Sequence, residues 1–197
     1  MLGEGDGMRT AVVHGLGGMG KTQLAAEYAK RHREDYSTVF WLNATDEMSL
    51  GQGFVRAAGR ILREHPSVDC LRHAVESRDP NQAIQDVKRW LENSKNDRWL
   101  LIYDNYDNPN LGGDGNCRTA GGSGGGKKEG NGDVNVAKAY DIRPFLPDAH
   151  HGAILITTRS SKVTIGHRIP LGKLSDLQDS LEILAHSSNR HDIHSGM

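Results

Sequence analysis

The chain has 197 residues, which allows one domain with trimmings or two small ones. Apolar residues make up only 36%, so part of the chain is expected to stay outside a packed core. A net charge of -1 gives no basic field for nucleic acid or an anionic membrane. Two cysteines, Cys70 and Cys117, lack metal-ligand spacing and exclude a disulfide scaffold or Cys-rich zinc site; both read as free thiols. No secretory signal or membrane-length apolar run is visible, and a soluble cytoplasmic protein is the expectation.

In chain order, residues 10–14 form a β-branched run that stops at a glycine-rich turn. Residues 21–32 then read as a helix. Residues 38–42 are a second strand candidate. Thr45 is placed as N-cap of the next helix, with Asp46 and Glu47 in its first turn. Leu50, Phe54, Ala57, Ala58, Ile61 and Leu62 give that helix one apolar face. Asp79 and Pro80 open a helix carrying Ile84, Val87 and Leu91.

Residues 99–103 are apolar on both faces, as a buried parallel strand is. Residues 153–157 are a fourth strand. Residues 168–171 are a weaker fifth, whose proline suits an edge. Trp41, Trp90 and Trp99 are assigned to the core, and the pair His150, His151 to a surface turn. Residues 175–178 form a capping box before a last helix with Leu177, Leu181 and Leu184 inward. Segment 112–133 holds ten of the 24 glycines and is expected to be a flexible insertion. The tail 187–197 is expected to be disordered, and His186, His191 and His194 to form no site.

Strands alternating with helices argue an α/β fold with a parallel sheet covered on both faces. The expected domain is 8–186.

The strongest chemical signal is GLGGMGKT at 15–22, a full match to the phosphate-loop pattern. Gly15, Gly17, Gly18 and Gly20 free the backbone N–H groups to wrap phosphates, and the helix that follows aims its positive end at the same anion. Lys21 is expected to face solvent and reach the β/γ oxygens, and Thr22 to ligate Mg²⁺. The apolar strand ending at Asp104 has the Walker B arrangement, which makes Asp104 a second metal ligand through water. Asn105 follows it and cannot act as a general base. Asp107 is either a substitute base or a turn residue. Arg159 follows the fourth strand, where ligands bind in such sheets, and is expected to sense a γ-phosphate. Asp104 and Arg159 are therefore the candidate catalytic residues. His14 directly precedes the loop and is expected to make a packing or backbone contact.

GLGGMGKT at 15–22, VFWLNA at 39–44, LLIYDN at 100–105 and GAILITTR at 152–159, with IPLGKLS at 169–175, together resemble the NB-ARC nucleotide-binding domain of STAND-type NTPases. That family includes the NLR immune receptors, and the likeness is to its fungal and bacterial kind. The resemblance implies a five-stranded parallel P-loop sheet of order 5-1-4-3-2. It implies a signalling switch in innate immunity that binds ADP or ATP with Mg²⁺, hydrolyses slowly and meets protein partners or its own kind in a longer receptor. The family's helical and winged-helix subdomains are not visible, so the chain reads as the core subdomain alone. A small P-loop kinase and a degenerate scaffold with weak nucleotide binding stay open as alternatives.

Overall fold

The computed structural model describes residues 9–111 and 138–172. Five strands form one sheet: β1 (Arg9–His14), β2 (Thr38–Asn43), β3 (Trp99–Asp104), β4 (Ala153–Thr158) and β5 (His167–Pro170). All are parallel, in the order β2-β3-β4-β1-β5; from the β5 edge this reads 5-1-4-3-2. Every residue of β3 and β4 is buried. These are the runs richest in Leu and Ile, as strands covered on both faces must be. β5 carries Pro170 and lies at an edge, where a missing N–H is tolerated.

Alternation along the strands feeds two separate apolar clusters. Ala11, Val13, Leu100, Ile102 and Leu155 pack with Ala25 of helix α1 (Lys21–Arg31). Val12, Leu101, Tyr103, Ile154 and Ile156 face the other way. They pack under α2 (Glu47–Glu64), α3 (Cys70–Ser77) and α4 (Pro80–Glu92). Helices thus cover both faces. Gly152 has φ +77°, and a Cβ there would lie 2.3 Å from the Trp99 ring, so only glycine lets β4 start this close to β3. The Trp99 indole N–H donates to the Leu91 carbonyl at 2.9 Å, which pins α4 to the base of the sheet.

Three expectations change. The N-cap of α2 is Asp46, whose carboxylate accepts from the Ser49 N–H and hydroxyl, each at 2.7 Å. Thr45 instead turns onto Asn43 Oδ1. Asp46 wins because its side chain reaches the open N–H groups one turn into the helix. Trp41 lies outside the core at 41% exposure, because it alternates outward on the edge strand β2. Helix α3 has no counterpart in the sequence reading; Leu71 and Ala74 bury its short apolar side. Asp79 caps α4 as expected, accepting from the Asn81 N–H at 2.9 Å. Cys70 is a free, exposed thiol. The capping box and helix at 175–184, segment 112–133, Cys117 and the tail lie outside the described residues.

Candidate functional site

Parallel strands in register bring their carboxyl ends to one edge of the sheet. His14 stands beside Thr158, and Asn43 beside Asp104. The segments leaving β1, β3 and β4 therefore meet there. Residues 15–20 join β1 to α1. The Gly15 N–H donates to the Thr158 carbonyl at 3.3 Å, and a Cβ on Gly15 would lie 2.6 Å from the Leu171 carbonyl oxygen. Gly18 and Gly20 have φ of +78° and +80°. Gly20 is the N-cap of α1 and offers no side chain to its first turn. The N–H groups at that helix start have no side-chain cap, an arrangement suited to an anion.

Lys21 departs from expectation. Its ammonium folds back and donates to the Gly15 and Leu16 carbonyls at 2.8 and 2.7 Å instead of facing solvent. A positive charge on two neutral acceptors closes the loop on itself and leaves the cation without a charged partner in these contacts. His14 faces Arg168, with its Nε2 3.5 Å from the guanidinium.

Asp104 ends β3 and is buried. Its Oδ1 accepts from the Thr22 hydroxyl at 2.9 Å and from the Thr157 hydroxyl at 2.5 Å. The Asn105 N–H donates in turn to Thr157 Oγ1 at 3.0 Å, and its amide to Asp104 Oδ2 at 3.3 Å. Asn105 sits at φ +66°, a conformation asparagine tolerates better than most residues. Three residues after Asp104, Asp107 takes Arg159. Its Oδ1 accepts from the Arg159 backbone N–H at 2.7 Å and its Oδ2 from Nε at 2.5 Å. Both oxygens of Asp107 thus accept from Arg159.

A chain of tyrosines supports this edge from below. Tyr103, Tyr106 and Tyr140 donate their hydroxyls to the carbonyls of Phe145, Tyr140 and Ala44, each within 2.8 Å. Burial raises all three phenols above the ordinary tyrosine range, which keeps them protonated as donors. Gly17, Gly18, Gly20, Lys21, Thr22, Thr45, Asn105, Asp107 and Arg159 line one cleft of about 480 Å³.

No family model matches the chain. It is similar to a nucleotide-binding leucine-rich repeat (NLR)-like protein of Hyaloscypha variabilis. The two are 28% identical over 190 residues, and the match covers 90% of this chain. That identity supports an NLR-type relationship. The chain spans 17% of the length of that relative.

The structure brings together all eight residues singled out in the sequence. Gly15, Gly17, Gly18, Gly20, Lys21 and Thr22 form one loop and helix start, with Asp104 against Thr22 and Arg159 against Gly17. Two contacts within the candidate site were not read from sequence: Thr157 as partner of Asp104, and Asp107 as holder of Arg159. The signal available was the parallel spacing of polar residues just past two buried runs. Among the described residues, no helix is long and apolar enough to cross a membrane.

Proposed function

We propose that the chain is an ADP/ATP-binding switch module of NLR type that uses Mg²⁺ and hydrolyses slowly. The observation that carries this reading is the Thr22–Asp104 contact, which joins the start of α1 to the end of β3 beside Lys21. The donor set suits the ligand. An uncapped helix start behind glycines of positive φ offers N–H groups to phosphates. Lys21 holds only neutral acceptors, which phosphate oxygens would replace with a charge-assisted contact. Among the described residues no group of three or more His, Cys, Asp or Glu gathers as a metal site. One carboxylate beside one hydroxyl is the sparse set of a Mg²⁺ that shares its shell with phosphates and water.

In this reading the loop N–H groups and Lys21 hold the phosphates, Thr22 and Asp104 hold Mg²⁺, and Arg159 faces the terminal phosphate. A bound ATP supplies a γ-phosphoryl whose presence or loss distinguishes two states. Asn105 has no basic group. The residue that follows Asp104 therefore cannot take a proton from water, which favours slow turnover. The change of state would pass to protein partners or to further copies within a longer receptor. The test is thermal unfolding with ADP and ATP, with and without Mg²⁺, alongside phosphate release. A Mg²⁺-dependent rise in midpoint is expected, with turnover below the enzyme range of about 1–10³ per second. No shift with either nucleotide would contradict the reading.

A further inference from the structure

Arg159 is an exposed side chain held by a largely shielded one. Its side chain is 64% exposed, while that of Asp107 is 15% exposed. An exposed arginine samples many rotamers, and surface ion pairs seldom restrain one. Here the restraint has two points. Asp107 Oδ1 fixes the Arg159 backbone N–H and Oδ2 fixes Nε, so main chain and guanidinium are set by one carboxylate. Asp107 is itself fixed. The Tyr106 N–H donates to the Thr157 carbonyl at 2.9 Å, and the buried Tyr106 hydroxyl anchors on the Tyr140 carbonyl at 2.8 Å. Using Nε leaves NH1 and NH2 donating to no described residue. The guanidinium lies against the phosphate loop: a Cβ on Gly17 would stand 3.6 Å from Arg159 Cδ and 4.0 Å from NH1.

We propose that Asp107 is the positioning residue of Arg159, and that the preference of this site for ATP over ADP belongs to the pair. The inference rests on the nucleotide-binding reading above. Asp107 touches no phosphate in it. It spends one donor of Arg159 to aim the other two nitrogens across the loop, where a terminal phosphate can take both. Without Asp107 the arginine keeps its charge but loses its direction.

The test is calorimetric titration of the full chain with Mg-ADP and Mg-ATP, for the parent, Asp107→Asn, Arg159→Ala and the double variant. Asparagine keeps an oxygen for the Arg159 N–H but turns an amide donor toward Nε. Asp107→Asn should therefore remove the ATP preference as fully as Arg159→Ala, by about tenfold or more, the scale of one charge-assisted hydrogen bond. The change with ADP should be much smaller, and the double variant should match either single one. The Arg159 Nε–H resonance, identified by its loss in Arg159→Ala, should shift in Asp107→Asn. An unchanged ATP preference in Asp107→Asn overturns the proposal. So do equal losses for both nucleotides, or additive effects in the double variant. A parent chain that binds neither nucleotide overturns the underlying reading as well, an outcome distinct from all of these.

Discussion

Thr22 and Asp104 stand 82 residues apart in the chain, and the Thr22 hydroxyl donates to Asp104 Oδ1 at 2.9 Å. The contact exists because β1 and β3 both flank β4, so their carboxyl ends sit on either side of Thr157. The same Asp104 oxygen takes the buried Thr157 hydroxyl. One carboxylate therefore ties the helix start, the end of β3 and the end of β4 together. The proposed Mg²⁺ ligand is thus also a structural clasp.

The two roles separate by substitution. Asp104→Ala should destabilise the fold by about 1–3 kcal/mol, because it leaves the buried Thr157 hydroxyl without its acceptor. Asp104→Asn keeps an acceptor of the same shape and should change stability by less than about 1 kcal/mol. It should nevertheless abolish the effect of Mg²⁺ on nucleotide binding. Urea unfolding and titration with and without Mg²⁺ measure the two; full Mg²⁺ dependence in Asp104→Asn would remove this residue from the metal site.

The described residues on either side of segment 112–133 are tied to each other. The Asn110 N–H donates to the Tyr140 carbonyl at 2.8 Å and the Tyr140 N–H to the Asn108 carbonyl at 3.2 Å. Replacing the segment with a short Gly-Ser linker should change unfolding free energy by less than about 1 kcal/mol, since closure entropy varies only logarithmically with length. A loss of several kcal/mol would mean that the segment contributes packing.

Asp46 makes acid stability partly a property of one helix cap. Hydrogen bonds from the Ser49 N–H and then its hydroxyl hold the carboxyl below its usual range. A carboxyl with a lowered folded pKa stabilises above its unfolded value of about 3.9, and that contribution fades as pH falls toward the folded value. Asp46→Ala should therefore cost about 0.5–2 kcal/mol near neutrality. The gap between parent and variant should narrow below about pH 4. Other carboxyls with lowered values, Asp141 beside Arg143 among them, cancel in that difference. A gap that stays constant to low pH would assign the effect to packing.

Features written in consecutive residues are legible in the sequence. The phosphate-loop pattern lies within eight residues, and β3 and β4 are the apolar runs expected of strands covered on both faces. Trp41 misled because an aromatic in a strand pattern does not reveal whether the strand is an edge. Helix α3 was missed because eight residues with only two buried positions, Leu71 and Ala74, carry little period. The Asp107–Arg159 and Asp104–Thr157 pairs span more than 50 residues each. They depend on β3 lying beside β4, which no local pattern encodes.

The most direct test is equilibrium binding of Mg-ADP and Mg-ATP to the parent chain and to Lys21→Ala. Lys21 folds onto the loop carbonyls and is the one flexible cation within the loop, so its removal should strip phosphate affinity while the sheet stays intact. The parent is expected to bind both nucleotides saturably. Lys21→Ala should bind them at least about tenfold more weakly, with an unfolding midpoint close to that of the parent. Equal affinities in the two proteins, or no binding by the folded parent, would contradict a phosphate-binding role for residues 15–22.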